Sequence, residues 1–295
     1  MPELPDLTIY QEAIEQRIKF EPLTGIRLTS PFILRTVTPT ASEFYGKKLL
    51  GTQRLGKRII LNFQSDLYIA VHLMIAGRFQ WYPAGKKLPA KLGLMAFDFK
   101  PGTLVLTEAG QKHRAAVHFI AGANNLDQFD QGGLEVLGAS LDAFRSALSA
   151  QNRTLKRALT DPRFIAGIGN AYSDEILHQA RLSPMRQTKH LNDSQWQALY
   201  SATNSTVTEW IERLRTQTGN QFPKKVTAFH NEMKVHGKFK QPCPDCGAPI
   251  QRIRYANNEC NYCAACQNQG NILADRSLSK LLKQDWPKTL EELDQ

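Results

Sequence analysis

The sequence lacks any long apolar segment, and it has no cysteine before residue 243. No apolar run approaches the roughly 20 residues that a membrane-spanning helix needs. The first residues, Met1–Asp6, have neither the basic nor the apolar region of a secretory signal. Because all five cysteines fall between Cys243 and Cys266, disulfides cannot cross-link the whole fold. We therefore expect an intracellular, cytoplasmic protein that does not span a membrane.

Acidic residues are outnumbered by basic ones, with 27 Asp and Glu against 37 Lys and Arg, so the formal net charge is +10 at pH 7. This excess disfavours an acidic or disordered protein and favours a polyanionic partner. The 295 residues are 42% hydrophobic, which suffices for one large domain or two ordinary ones with packed cores.

Hydrophobic periodicity divides the chain into regions of different structure. Near the N-terminus, the spacing from Leu7 to Ile18 predicts a helix with one apolar face. Short apolar runs between about residues 25 and 121 predict strands, and their close spacing is typical of a sandwich or barrel-like layer. The period then becomes helical, with the longest helix predicted over residues 193–214. We place a domain boundary near residues 128–138.

The cysteine spacing is the most specific signal in the sequence. The pairs Cys243-Pro-Asp-Cys246 and Cys263-Ala-Ala-Cys266 are separated by sixteen residues, which is the pattern of a zinc ribbon. It predicts one structural Zn²⁺, since four thiolates leave no open position for catalysis. A competing pair, Cys260-Asn-Tyr-Cys263, would shorten the gap to thirteen residues and leave Cys266 unused.

Positive charge is concentrated around this ribbon. Residues 221–254 contain seven basic side chains against two acidic ones, Glu232 and Asp245. The basic residues and the neighbouring aromatic ones are Lys224, Lys225, Lys234, Lys238, Lys240, Arg252 and Arg254, with Phe222, Phe229, Phe239 and Tyr255. A charge run of this kind can be a solvated face, but its coincidence with a ribbon and aromatic residues favours phosphate binding.

Two further motifs are weak when each is taken alone. In Gly167-Ile168-Gly169-Asn170, a predicted helix gives way to a glycine turn and a new helix begins. The free N–H groups at that helix start favour an anion, although the string can equally be a simple loop. At the N-terminus, removal of Met1 would expose the secondary amine of Pro2 beside the carboxylate of Glu3, which is a candidate nucleophile unless the segment is an inert tail.

In combination, these features resemble the formamidopyrimidine-DNA glycosylase and endonuclease VIII family, which consists of bifunctional base-excision repair enzymes. The matching segments are Pro2–Asp6, Gly56–Arg58, His72–Arg78, Lys156–Pro184 and the ribbon that ends at Cys266-Gln267. Together they extend from residue 2 to about residue 267.

The resemblance implies an α+β, multidomain fold. Residues 1–130 would form an N-terminal β-sandwich catalytic domain with a flanking helix, and residues 131–220 a helical DNA-binding domain with a helix–two-turns–helix element. Residues 221–267 would form the zinc ribbon, and residues 268–295 a helical extension beyond the usual end of the family. Damaged double-stranded DNA would cross the cleft between the domains, and the protein would act as a monomer.

The resemblance also implies roles for particular residues. Pro2 would be the nucleophile that attacks C1′ of a flipped-out damaged nucleotide, and Glu3 the acid that protonates the opening sugar. Lys57 would bind a phosphate beside the lesion and belong to the catalytic set, and Asn170 would bind another phosphate. The remaining DNA-binding candidates are Met74 and Ile75 as an apolar wedge, Lys156, and Asn258 at the tip of the ribbon. The metal ligands would be Cys243, Cys246, Cys263 and Cys266.

The sequence departs from the family at several points. The usual Asp-Pro-Arg-Arg-Phe-Gly segment, which fills the vacated base stack, is replaced by Glu108–Arg114. Asn258 stands where the family normally has an arginine, and the segment Thr218–His236 is shorter than in the branch specific for 8-oxoguanine. Met74 and Ile75 could either intercalate into the DNA or belong to the hydrophobic core as part of a strand. Glu175 is either a support for the N-terminus or a helix-surface or capping acid.

The expected function is removal of oxidised bases from DNA, followed by strand cleavage by β,δ-elimination through a Schiff base at the N-terminal proline. The alternative is a protein of the same fold that binds damaged DNA without catalysis, which the presence of Pro2, Glu3 and Lys57 disfavours. A general zinc-ribbon transcription or ribosomal factor would leave the N-terminal motif and the Asn170 segment unexplained. The preferred base stays open at this point.

Overall fold

A computed structural model describes residues 1–29, 31–109, 113–224, 226–227, 229–255, 258–275, 278–282, 284 and 286–293. The chain forms two compact units. The first comprises Met1–Gln131 together with Trp210–Thr227, and the second comprises Gly132–Glu209 and the chain that follows Thr227. The domain limits expected from the sequence stay a prediction.

The first unit begins with helix α1, Leu4–Ile18, which confirms the predicted N-terminal helix. Glu3 is its N-cap, and a capping box closes its first turn: the Glu3 carboxylate accepts the backbone N–H of Asp6, while the Asp6 carboxylate accepts the N–H of Glu3 at 2.9 Å. The apolar face of α1, which includes Leu7, Tyr10 and Ile14, is fully buried. Because the cap fixes the helix start, it also fixes the two residues that precede the helix.

Eight antiparallel strands form two four-stranded sheets in this unit. The strands are β1 Leu23–Leu28, β2 Leu49–Leu55, β3 Arg58–Phe63, β4 Leu67–His72, β5 Gly77–Tyr82, β6 Gly93–Phe99, β7 Gly102–Glu108 and β8 Ala116–Ala121. One sheet has the order β1-β6-β7-β5 and the other β2-β3-β4-β8. This arrangement confirms the predicted β-sandwich with its flanking helix.

A single hydrophobic core joins both sheets and α1. Alternate residues of the strands point into it, for example Ile59 and Leu61 on β3 and Leu104 and Leu106 on β7, all fully buried. Each such side chain contributes about 1.5–3 kcal/mol of burial free energy. Tyr10 of α1 meets Phe79 of β5 edge to face, with ring centroids 5.6 Å apart, so the helix that carries the N-terminus is packed directly onto a sheet.

The second unit is helical up to its ribbon, as the period of the sequence predicts. Its helices are α2 Leu141–Ser149, α3 Leu155–Thr160, α4 Asn170–Gln179 and α5 Asp193–Thr218, the last of which ends in the first unit. Strands β9 Ile250–Tyr255 and β10 Asn258–Cys263 form an antiparallel hairpin, and α6 Ala264–Asn268 follows it directly. The helical domain with an appended ribbon is thereby confirmed.

The residues after the ribbon fold back on it. A short helix, α7 Leu278–Leu282, and a 3-10 turn, Glu291–Leu293, lie in this extension. Leu273 and Leu290 pack against a small ribbon core that contains Ile253 and Tyr262. Across the described residues of the chain, no helix combines the length and the apolar character needed to cross a membrane.

Candidate active site and nucleic-acid interface

The N-terminal candidates Pro2 and Glu3 are both buried, with only 3% of Glu3 exposed. Glu3 occupies the N-cap position of α1, where the partial positive charge of the helix start favours a carboxylate. The capping box therefore holds this carboxylate next to the beginning of the chain, as the acid role predicted for Glu3 requires.

The amino terminus lies in a desolvated environment with charges of both signs nearby. Burial lowers the pKa of the Met1 amino group below its ordinary value, and the positive charges of Arg78 and Lys57 lower it further, against the opposing effect of Glu3 and Asp6. This amine precedes the nitrogen of Pro2 by one residue. An amine with a lowered pKa is unprotonated, and hence nucleophilic, in a larger fraction of molecules at neutral pH.

Lys57 lies in the tight turn between β2 and β3. Leu55 and Arg58 are the last paired residues of the two strands, so Gly56 and Lys57 are the two turn residues. Gly56 has a φ of +56°, the left-handed conformation that two-residue hairpins require. Arg54 donates to the Gly56 carbonyl at 2.7 Å and reinforces this turn. Lys57 is thus presented at the tip of a hairpin, within electrostatic reach of the amino terminus.

Met74 and Ile75 lie in the turn between β4 and β5, so their expected position on a strand is wrong. Met74 adopts a φ of +54°, which is a strained conformation for a residue with a side chain, and Ile75 is 62% exposed. The Gly77 amide donates to the Leu73 carbonyl at 2.9 Å, and a Cβ on Gly77 would collide with that oxygen. Arg78 donates to the carbonyl of Ile75 at 3.0 Å. The turn therefore presents Ile75 outwards and excludes it from the core.

Lys156 lies inside the second unit and is only 4% exposed. Its ammonium donates to the Asn170 carbonyl at 2.6 Å, to the Ser173 hydroxyl at 2.8 Å and to the Asp174 carboxylate at 2.5 Å. Three acceptors satisfy the three hydrogens of an ammonium group. The direct DNA contact predicted for Lys156 does not match this position, which supports the beginning of α4 from within.

Asn170 is the first residue of α4, as the glycine-turn motif predicts. The turn before it contains Gly167 at a φ of +80°. The Asn170 side chain is half-buried, and its Nδ2 donates to the Glu259 carbonyl of β10 at 2.7 Å. Asn170 therefore lies at a helix start, a position whose partial positive charge favours an anion.

One predicted DNA contact, Asn258, lies partly outside the described residues. Asn258 begins β10, but its side chain lies outside the described residues. Lys112 of the segment that replaces the family's stack-filling motif also lies outside them, whereas the neighbouring His113 and Arg114 are exposed. Glu108 at the start of this segment is buried and accepts the N–H groups of Arg114 and Ala115 at 2.8 and 3.0 Å.

The four cysteines predicted as metal ligands converge on one point. Their Sγ atoms all lie within 4.8 Å of one another. The Cys246–Cys263 distance is 3.4 Å and the Cys243–Cys266 distance is 3.9 Å. With Zn–S bonds of about 2.3 Å, a tetrahedral site has S–S edges of about 3.8 Å, so the cluster fits a metal of this size. Cys260 is buried among Ile253, Tyr262 and Ala264 and does not belong to the cluster.

His178 of α4 supports this cluster and was not identified from the sequence. Its Nε2 lies 3.3 Å from the Sγ of Cys243, and burial lowers its pKa, which favours the neutral ring. Hydrogen bonds of this kind orient metal-ligating thiolates. No local motif contains both residues, because 65 positions separate them in the chain.

Asp174 and Glu175 of α4 are also buried, where the helix contacts the segment before the ribbon. The sequence left the role of Glu175 open. The Glu175 carboxylate accepts the N–H groups of Lys234, Val235 and His236 at 2.8–2.9 Å. Burial raises its pKa in spite of these bonds. The interpretation of Glu175 as a helix-surface or capping acid is wrong, because Glu175 is buried within α4 and its partners belong to the segment before the ribbon.

Comparison with known proteins agrees with this geometry. The sequence model of the formamidopyrimidine-DNA glycosylase N-terminal domain matches residues 1–116, and that of the formamidopyrimidine-DNA glycosylase H2TH domain matches residues 136–221. A formamidopyrimidine-DNA glycosylase of Pelotomaculum thermopropionicum is 28% identical, over 90% of this chain and 99% of the relative. An uncharacterized formamidopyrimidine-DNA glycosylase-like protein of Mycobacterium tuberculosis is 35% identical, over 51% of this chain and 94% of the relative.

Solved structures show the same relationship. MutM in complex with DNA that contains carbocyclic 8-oxo-G superposes with a TM-score of 0.79 at 25% identity, covering 90% of this chain and all of that one. Lactococcus lactis Fpg in complex with DNA that contains an abasic site gives the same TM-score and the same identity. This match covers 90% of this chain and 99% of that one. The fold is thus that of a DNA glycosylase. The chain belongs to the formamidopyrimidine-DNA glycosylase family.

Proposed function

We propose that this protein is a bifunctional DNA glycosylase that excises oxidised bases from damaged duplex DNA and then cleaves the strand at the resulting abasic site. The observation that carries the proposal is the buried N-terminus. Glu3 is locked by a capping box beside Pro2, and the amine in front of them has a pKa lowered by burial and by Arg78 and Lys57. A buried carboxylate next to an amine position whose surroundings lower an amine pKa is suited to amine-catalysed attack on a sugar carbon.

The chemistry begins when removal of Met1 leaves Pro2 with a free secondary amine. After the damaged nucleotide is extruded from the duplex, the proline nitrogen attacks C1′, and the bond between C1′ and the base breaks. Glu3 donates a proton as the sugar ring opens, and an iminium forms between Pro2 and C1′. The iminium acidifies the C2′ proton, which the now ionised Glu3 carboxylate accepts as the 3′ phosphate leaves by β-elimination. Loss of the C4′ proton to water then expels the 5′ phosphate by δ-elimination. Water finally hydrolyses the iminium and releases Pro2.

The remaining candidates hold the DNA. Lys57, at the tip of the β2–β3 hairpin, binds a phosphate beside the lesion, and Asn170 binds another at the start of α4. Ile75, with Met74 at its base, is the apolar wedge that enters the stack when the base leaves it. Asn258, at the tip of the ribbon, is the last of these DNA-binding residues and donates a hydrogen bond without carrying a charge. Lys156 contributes by supporting Asn170 from within.

The four clustered cysteines would hold one structural Zn²⁺. The ion would contribute folding free energy to the ribbon and no catalytic step, because all four positions of a tetrahedral site are taken by sulfur. Cys243 connects the cluster to α4 through His178, so the metal site also supports the helix that begins with Asn170.

Covalent trapping on abasic DNA tests the proposal. With borohydride present, the wild-type protein should form a stable adduct with a duplex that contains an abasic site, and mass spectrometry of the digested adduct should place the modification on Pro2. A protein that only binds damage gives no adduct. Trapping by a protein whose intact mass retains Met1 would show that Pro2 is not the nucleophile. Glu3→Gln serves as the matched variant, since it should lose base excision while keeping affinity for the duplex.

A further inference from the structure

Asp174 is a fully buried carboxylate that binds a different side chain with each of its two oxygens. Its Oδ1 accepts a hydrogen bond from the Lys156 ammonium at 2.5 Å, and its Oδ2 lies 2.7 Å from Nδ1 of His236. The same Oδ2 accepts the backbone N–H of Asn261 at 3.1 Å. Burial alone would raise the pKa of Asp174, but the nearby Lys156 and His236 outweigh it and hold the pKa below its ordinary value, so the carboxylate is ionised.

These partners come from separate parts of the second unit. Lys156 belongs to α3, Asp174 to α4, His236 to the segment before the ribbon, and Asn261 to β10. Asn261 extends the connection, because its Oδ1 accepts the N–H of Gly237 at 2.8 Å. One carboxylate thus joins the helix–two-turns–helix region to the ribbon hairpin.

The same network holds Asn170 from two directions. Lys156 donates to the Asn170 carbonyl at 2.6 Å, and the Asn170 side chain donates to the Glu259 carbonyl on β10 at 2.7 Å. Asp174 fixes both supports, since it binds the Lys156 ammonium on one oxygen and β10 on the other. A shift of β10 relative to α4 would therefore move the Asn170 side chain and the ribbon together.

We propose that Asp174 is a positioning residue for DNA binding, which locks the ribbon hairpin onto α4 so that Asn170 and the ribbon meet the phosphate backbone as one rigid surface. The inference rests on the proposed function, and it assigns to Asp174 a contribution to affinity and none to the chemical step. Glu175, which accepts three N–H groups of residues 234–236 independently, keeps the ribbon attached when Asp174 is changed. Loss of positioning can therefore be separated from loss of the fold.

The test compares Asp174→Asn with a double variant that removes both buried charges, Asp174→Asn with Lys156→Met. The single variant leaves a buried ammonium without its counter-charge, so its melting temperature should fall, whereas the double variant should recover much of it. Asp98→Asn is the matched control, because Asp98 forms a two-bond ion pair with Arg27 in the first unit. Measurements are the Kd for a duplex with an abasic-site analogue, the single-turnover rate at saturating DNA, the melting temperature and the zinc content.

We expect both Asp174 variants to raise the Kd about tenfold with full zinc content, and to change the saturated rate less than twofold. A Kd within twofold of wild type for both variants would overturn the proposal. So would a double variant that recovers the Kd along with the melting temperature, because charge balance alone would then explain the effect. An equal rise of the Kd in Asp98→Asn would also contradict it. Failure of the wild-type protein to bind or to be trapped would instead refute the proposed function.

Discussion

At the scale of single residues, a substitution at Ile75 should affect the processing of DNA without affecting the stability of the protein. Its side chain is 62% exposed at the tip of a turn, so replacing it with serine should change the free energy of unfolding by no more than about 0.5 kcal/mol. As the proposed wedge, it stabilises the gap left by an extruded base, which costs a few kcal/mol to open. Ile75→Ser should therefore slow single-turnover excision of a paired lesion about tenfold and slow cleavage of a preformed abasic site much less.

Val37 provides the control for this experiment. It is an apolar residue of the same unit that is 89% exposed, and no DNA contact is assigned to it. Val37→Ser should leave both rates unchanged. If Ile75→Ser behaves like Val37→Ser, the wedge is not at Ile75.

Metal retention is a second residue-scale prediction. Cys266 belongs to the four-sulfur cluster, whereas Cys260 lies in a separate apolar cluster, where burial raises its pKa and keeps the thiol protonated. Cys260→Ser should keep one zinc per chain, and Cys266→Ser should lose it together with ordered ribbon structure. Zinc analysis by mass spectrometry under native conditions checks this, and metal loss in Cys260→Ser with retention in Cys266→Ser would contradict it.

The sequence predicted the residues whose roles depend on local spacing. The cysteine pairs, the Pro2-Glu3 start and the Asn170 helix start could each be recognised within a few positions. The buried position of Lys156 could not be recognised in this way, because the three acceptors of its ammonium group lie 14 to 18 positions further along the chain. For the same reason, the contact between His178 and Cys243 left no local pattern in the sequence.

At the scale of elements, one face of the β2-β3-β4-β8 sheet carries two half-buried histidines beside a half-buried arginine. Arg58 of β3 pairs directly with His72 of β4, and His118 of β8 lies opposite Ala70, two residues away from His72 along β4. Burial, with Arg58, Lys57 and His118 nearby, lowers the pKa of His72 to about 4. The unfolded chain, with a histidine pKa near 6.5, then binds more protons than the folded one between these two values.

This shift predicts a loss of stability in mild acid. The His72 contribution is complete above pH 6.5 and disappears as the pH falls towards 4, with a size on the order of 2–3 kcal/mol. His72→Asn should therefore lose less stability than wild type between pH 6.5 and 4, as urea unfolding at several pH values would measure. The same change at the exposed His113 is the control. Parallel pH profiles for His72→Asn and wild type would contradict the predicted effect.

Periodicity predicted the helices and strands well because their packing faces are regular. It did not reveal the geometry of the β4–β5 turn, where Met74 adopts a positive φ that non-glycine residues rarely take. It also placed the end of the long helix at residue 214, whereas α5 continues to Thr218. That last turn is stabilised by a contact distant in sequence, the ion pair of Arg215 with Glu12 of α1.

At the scale of the whole molecule, the net charge of +10 predicts strongly salt-dependent binding. A protein that neutralises about half a dozen phosphates should show a slope of log Kd against log salt of about 5. Lys57→Ala should weaken binding to undamaged duplex and lower this slope by about 0.9, the value for one phosphate contact. Fluorescence anisotropy from about 50 to 200 mM salt measures both quantities, and a flat dependence would rule out phosphate-dominated binding.

Substrate choice depends on how much chain is available to cover the extruded base. Much of the shortened segment Thr218–His236 is already committed to packing. Phe222 and Val226 belong to the core of the first unit, and Met233 and Val235 are buried in the second. Between these two buried parts, Phe229 is 67% exposed, and its ring lies 5.2 Å from that of His236.

An enzyme with so short a cover, and without the family's Arg-Phe segment to fill the stack, holds an oxidised purine poorly. Oxidised pyrimidines and ring-opened purines are less well stacked, cost less to extrude and need less capping. We therefore expect 5-hydroxy- or glycol-type pyrimidines, formamidopyrimidines and abasic sites to be processed faster than 8-oxoguanine opposite cytosine. The competing expectation is that Lys112, His113 and Arg114 rebuild the missing filler and keep the preference for purines. Single-turnover rates on duplexes that differ only in the lesion decide between the two, and 8-oxoguanine as the fastest substrate would show that the short cover does not set the preference.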